Sequence, residues 1–122
     1  MGKRVLLIED EPNIIEAISF ILSRDGWAVA THSNGHDAVD VVLGAPPDLL
    51  ILDVMLPGKS GLDILRMLRE KLGPGDLPVM MLTARGQLKD REMAEKAGVN
   101  RFMTKPFSNA EMLEAVRELV ET

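Results

Sequence analysis

The chain of 122 residues contains no cysteine and no tyrosine, and its aromatics are one Trp and three Phe. Without cysteine there is no disulfide framework and no thiolate-ligated zinc or iron–sulfur centre. That suits a reducing cytoplasm, the expected location. With few aromatics and a net charge of −5 from 19 acids against 14 basic residues, a basic nucleic-acid-binding surface is also lacking. No apolar run approaches the roughly 20 residues that span a bilayer, so no membrane association is expected. Met1-Gly2-Lys3-Arg4 leads straight into a short apolar run ending in acids, unlike a secretory leader. Leu6 and Leu7 stand where a myristoylation signal wants Ser or Thr. Low-complexity tracts, repeats and linker-like stretches are missing too. A single domain over residues 1–122 is expected, and 46% apolar residues suffice for a core without covalent staples.

What is present is an alternation of apolar runs and amphipathic stretches. Val5-Leu6-Leu7-Ile8 reads as a strand stopped by Glu9-Asp10-Glu11. Pro12 and Asn13 open a helix with Ile14, Ile15, Ile18, Ile21 and Leu22 on one face, ended by Gly26. A short strand follows over Trp27-Ala28-Val29-Ala30-Thr31. Ser33 or Asn34 is expected to cap a second helix carrying Ala38, Val39, Val42 and Leu43, broken by Pro46-Pro47. Leu49-Leu50-Ile51-Leu52 lacks polar alternation, so both of its faces should be buried, and Asp53 ends it. Ser60 caps a third helix with Leu62, Leu65, Leu68 and Leu72, and Gly73-Pro74-Gly75 is a loop. Pro78-Val79-Met80-Met81-Leu82 is the fourth strand, ending at Thr83. A weakly apolar helix from Gln87 to Ala97, with Leu88, Met93, Ala94 and Ala97, stops at Gly98. Arg101-Phe102-Met103-Thr104 is the fifth strand, ending at Lys105-Pro106. Ser108 and Glu111 form a capping box for a last helix that buries Met112, Leu113, Val116, Leu119 and Val120.

Five repeats of strand then helix predict an α/β fold, a (βα)5 doubly wound three-layer sandwich. Its five-stranded parallel sheet should follow the flavodoxin-like order 2-1-3-4-5, common at this length. Ligands of such sheets bind beyond the carboxyl ends of the strands. The residues just past those ends are Glu9, Asp10 and Glu11, then Asp53, then Thr83 with Ala84, then Lys105, with Thr31 and His32 on the edge. Converging carboxylates repel one another, and a hard divalent cation relieves the repulsion. Oxygen-only donors favour Mg²⁺, with Mn²⁺ or Ca²⁺ as substitutes, over zinc. The same cluster suits phosphoryl transfer: Asp53 as nucleophile, Lys105 and the metal neutralising charge, Thr83 donating a hydrogen bond.

Four segments carry a family resemblance: Glu9-Asp10-Glu11-Pro12, Asp53-Val54-Met55-Leu56-Pro57-Gly58, Leu82-Thr83-Ala84-Arg85 and Lys105-Pro106-Phe107. In this order, each at a strand end, they resemble the receiver domains of bacterial two-component response regulators, the chemotaxis-receiver-like superfamily. The resemblance implies Asp53 as phosphoacceptor, with Asp10, Asp53 and the backbone carbonyl of Met55 as Mg²⁺ ligands. It implies Glu9 acting through a coordinated water, Lys105 pairing with phosphate, and a cis Lys105–Pro106 bond. Thr83 resembles the family's switch hydroxyl and Phe102 its switch aromatic. Met55 and Arg85 flank the pocket and could tune hydrolysis. The implied partners are a histidine kinase or histidine phosphotransfer protein as donor, and an output domain or downstream protein answering the face of the fourth helix, fifth strand and fifth helix. Glu9 replaces a more usual aspartate. Asn100, Arg101 and Ala115 replace the acids and arginine of charge-paired dimers, so a monomer is expected, with a phosphorylation-dependent dimer as the alternative.

Each residue also has a plainer use. Asp10 could cap the first helix, Thr83 could form a turn, Lys105 could snorkel at the surface, and Phe102 could be an ordinary core aromatic. His32 and His36 are expected to face solvent, and the eight methionines to fill the core. A Mg²⁺-dependent phosphatase would want its aspartate pair after the first strand and a cap domain. A flavodoxin-like carrier would want Ser, Thr and Gly donors where Glu9-Asp10-Glu11 stands, and no Gly-x-Gly-x-x-Gly follows the first strand. A degenerate scaffold receiver would lack part of the acid–hydroxyl–lysine set. The expected function is thus a phosphorylation switch and not a turnover enzyme.

Overall fold

The computed structural model describes residues 3–73, 77–84 and 88–120, without the side chains of Leu88 and Asp90. The expected loop at Pro74-Gly75, the expected helix start at Gln87 and Arg85 lie outside the described residues. Ten elements alternate: β1 (Arg4–Ile8), α1 (Pro12–Arg24), β2 (Ala28–His32), α2 (Ala38–Gly44), β3 (Leu49–Asp53), α3 (Gly61–Leu72), β4 (Val79–Thr83), α4 (Leu88–Ala97), β5 (Arg101–Thr104) and α5 (Asn109–Val120). The strands form one parallel sheet in the order β2-β1-β3-β4-β5.

Side chains alternate across the pleat, so each inner strand serves two cores. Leu6, Ile8, Leu50, Leu52, Val79 and Met81 join α2, α3 and Ala94 of α4 on one face. Val5, Leu7, Leu49, Ile51, Met80 and Leu82 join α1 and α5 on the other. All five residues of β3 are buried. This is why its sequence reads as an unbroken apolar run.

Several local expectations need correction. The second helix begins at Ala38 and its N-cap is Asp37, not Ser33 or Asn34. Asn34 Oδ1 instead accepts the His36 N–H at 2.6 Å, and the Gly35 N–H donates to the Pro57 carbonyl at 2.9 Å. The first bond is local to the β2–α2 loop, and the second fastens that loop to the β3–α3 loop. A Cβ at Gly35 would collide with the Lys59 carbonyl. His32 is not simply solvated: its Nε2 lies 2.7 Å from Asp37 Oδ1. In α5, Ala115 is fully buried with Met112 and Val116, whereas Leu113, Leu119 and Val120 are half-buried. Pro78 stands just before β4 and presents its carbonyl to the Leu50 N–H at 3.0 Å. The caps at Ser60 and Ser108 form: Ser60 Oγ accepts the Asp63 N–H at 3.2 Å, and Ser108 and Glu111 bond reciprocally at 2.9 and 3.0 Å.

Candidate functional site

β1 delivers Glu9 to the rim of the sheet, where it is fully buried. Its N–H still donates to the His32 carbonyl at 3.0 Å, continuing the β1–β2 ladder by one residue. Its Oε2 accepts the N–H groups of Asp10 and Glu11, both at 3.1 Å. Two backbone donors thus fix this carboxylate at the mouth of α1. Pro12 opens that helix, and Asp10 just before it is exposed. The N-cap is Glu11, whose side chain makes no cap hydrogen bond, so Asp10 is not spent on capping either.

β3 delivers Asp53, only 3% exposed. The Met55 N–H points back to Asp53 Oδ1 at 3.4 Å, while the Met55 side chain is 72% exposed. The Val54 N–H donates to the Leu82 carbonyl and the Gly61 N–H to the Val54 carbonyl, both at 2.9 Å. A Cβ at Gly61 would strike the Asp53 carbonyl, so a glycine lets α3 start directly against the end of β3.

β4 delivers Thr83, buried at the rim. Its carbonyl accepts the Lys105 N–H at 2.7 Å, which hangs the lysine on the end of the neighbouring strand. The Lys105–Pro106 peptide is cis. Lys105 Nζ, 9% exposed, lies 3.0 Å from Glu9 Oε1, 3.1 Å from Glu11 Oε1 and 3.6 Å from Asp53 Oδ1. Glu9 Oε1 makes that ion pair but no aligned hydrogen bond, leaving a buried carboxylate oxygen under-satisfied.

Burial pushes the Asp53 carboxyl up to about 7; the Glu9 carboxylate adds to the rise and Lys105 opposes it. Burial pulls the Lys105 ammonium down, yet Glu9, Asp53 and Glu11 together hold it above the ordinary lysine value. One oxygen each from Glu9, Asp10 and Asp53 fall within 4.8 Å of one another. An oxygen-only set containing an under-satisfied buried oxygen and a carboxyl pushed toward neutrality fits a hard divalent cation.

The fold therefore gathers Glu9, Asp10, Asp53 and Lys105 in one cluster and ties Thr83 and Met55 to it through backbone hydrogen bonds. Phe102 lies apart, half-buried on β5 opposite Met81. It lines a cavity of about 310 Å³ with Arg91, Glu95, Val99, Asn100 and Arg101. The contact of Glu11 with Lys105 is new. No local pattern announces a bond between residues 94 positions apart.

The family model of the response regulator receiver domain matches residues 5–117. The chain belongs to this family. Receiver domains act in two-component signalling as phosphoacceptors, bind Mg²⁺ in the active site and interact with histidine kinases and output domains. Solved receivers superpose over nearly the whole chain. The receiver domain of a Pseudomonas aeruginosa sensor histidine kinase, with magnesium coordinated in its active-site cleft, is 29% identical, with a TM-score of 0.90 and 100% of both chains covered. The beryllofluoride-activated N-terminal receiver domain of Klebsiella pneumoniae RstA is 26% identical, with a TM-score of 0.90, covering 98% of this chain and 100% of that one. A candidate response regulator of Chloroflexus aurantiacus is 28% identical, with a TM-score of 0.93 and 100% of both chains covered. Among the described residues no helix is long and apolar enough to cross a membrane.

Proposed function

We propose that residues 1–122 form one receiver whose Asp53 accepts a phosphoryl group from a histidine kinase or phosphotransfer protein. The observation that carries this is the placement of Asp53. A buried carboxylate at the end of the central strand stands 3.6 Å from Lys105 Nζ and beside two further acids. An Asp53 oxygen attacks the phosphorus of a phosphohistidine. The new O–P bond forms as the P–N bond breaks, and the departing imidazole nitrogen keeps the electron pair and takes a proton from solvent.

Asp10, Asp53 and the backbone carbonyl of Met55 would hold Mg²⁺, with Glu9 acting through a water. A cation held there would supply neutralisation of the charge between the carboxylate and the incoming phosphoryl group, and Mn²⁺ or Ca²⁺ would be the substitutes. Lys105 pairs with a phosphoryl oxygen and Thr83 donates a hydrogen bond to another. Phosphorylation adds about −1.5 to −2 charge units. Drawing Thr83 and Phe102 inward shifts the population of the α4-β5-α5 face toward a second packing, read by an output domain or downstream protein. Arg101 on β5 is already paired with Glu118 on α5 within the chain, which supports a monomer before phosphorylation. The domain promotes its own phosphorylation and dephosphorylation and turns over no external substrate.

The test is labelling with ³²P-acetyl phosphate and Mg²⁺. Wild type should take up hydroxylamine-labile label, and Asp53→Asn should take up none while keeping its circular-dichroism melt. Label retained by Asp53→Asn assigns the acceptor elsewhere.

A further inference from the structure

Lys105 is shared among three carboxylates. An ammonium has three donors, and three carboxylates already stand within 3.6 Å of Nζ. Only the contact with Glu11 is a hydrogen bond, and the Asp53 contact is to the carboxylate that is itself phosphorylated, so an incoming phosphoryl oxygen draws the ammonium away from Glu9 or Glu11. Glu9 is the wrong one to yield: it is fully buried, and two backbone N–H groups pin its other oxygen. Glu11 differs on both counts. Its side chain is 60% exposed, so water can replace the ammonium on release. It also occupies the N-cap of α1 without capping it, so its carboxylate is held by the lysine and not by the helix.

Resting on Asp53 as phosphoryl acceptor, we propose that Glu11 is a positioning residue that parks the Lys105 ammonium and competes with the phosphoryl group for it. Glu11 then lowers the occupancy of the phosphorylated geometry by holding the lysine in reserve, and it lets go into solvent when the anion arrives.

The probe is beryllofluoride, titrated at saturating Mg²⁺ and followed by ¹⁹F NMR or calorimetry, into wild type, Glu11→Gln and Glu11→Asp. Gln keeps the length and removes the charge. Asp keeps the charge but is one methylene shorter. It is also a strong N-cap residue, so its carboxylate turns to the N–H groups of Asn13 or Ile14 and away from Lys105. Both variants should bind beryllofluoride about two- to fivefold tighter, the range of one exposed ion pair released. Glu11→Asp should keep its Mg²⁺ affinity and melt no lower than wild type. Tightening in Glu11→Gln alone would mean a general charge effect and overturn the parking role, as would unchanged or weaker binding in both. Failure of wild type itself to bind beryllofluoride would instead overturn the assignment of Asp53.

Discussion

The two halves of this molecule are built to different standards. At β1 and β3, the buried positions that meet the site are held from several sides. All five residues of β3 are buried, Glu9 takes two backbone hydrogen bonds, and Gly61 brings α3 against the Asp53 carbonyl. At α4 the only fully buried side chain among the described residues is Ala94, with Met93 and Ala97 half-buried. Its carboxyl end is nonetheless fastened. Arg69 of α3 donates to the Gly98 carbonyl at 3.0 Å, the Leu77 carbonyl at 2.7 Å and Asn100 Oδ1 at 2.8 Å. Asn100 Oδ1 also accepts the Val79 N–H at 2.8 Å. The contrast separates chemistry from readout: charge must be placed to within tenths of an ångström, whereas a readout element must have little apolar contact to surrender.

Core truncation on the two sides should break the comparison if it is wrong. Leu50→Ala empties a fully buried site and should lower stability by about 2–5 kcal/mol in urea unfolding. Met93→Ala on α4, half-buried and gaining helix propensity, should lower it by about 1 kcal/mol. Equal losses would mean that α4 is as firmly seated as the sheet. Mg²⁺ should stabilise the folded chain by about 2.7 kcal/mol at a free concentration of about 100 Kd. Calorimetry reads this as a rise in Tm that chelation reverses, and hydrogen exchange should slow at the β1 and β3 ends more than along α4. An unmoved midpoint would remove the ion from the rim.

The smallest effect belongs to neither half. Asp25, at the far end of α1, bonds Arg117 of α5 and the Trp27 indole. The Arg117 guanidinium, then Trp27, hold its carboxyl below the ordinary value. A depressed folded pKa means this contribution is present above the ordinary carboxylate value of 3.8 and is lost as pH falls through the folded one. The Tm gap between wild type and Asp25→Asn should therefore be open at pH 6 and shrink toward pH 3.

Most of the sheet was legible from the chain because burial on both faces leaves no polar residue inside β1, β3 or β4. Glu9 and Asp53 were legible because each directly follows such a run, and Lys105 because it directly follows β5. The start of α2 was misread: Ser33 and Asn34 have capping chemistry, but the Asn34 side chain is taken by the His36 N–H in a local turn and Gly35 is bonded to Pro57 of the loop after β3, so the helix starts later. Ala115 was read only for the arginine it replaces, and its burial escaped notice because a small side chain gives little amphipathic signal. Glu11 was visible as an acid but not as a partner, since its bond depends on how β1 and β5 end relative to each other.

The strict alternation of β3 between its two cores has a consequence for the chain's tolerance of change. Deleting one residue between Leu49 and Leu52 would send every side chain from the deletion to the end of the strand to the opposite layer. It would also draw Asp53 back by one strand rise, about 3.3 Å, more than the slack in any contact it makes. Length is therefore constrained here more tightly than composition, and substitutions in this strand should be survivable where a single-codon deletion is not.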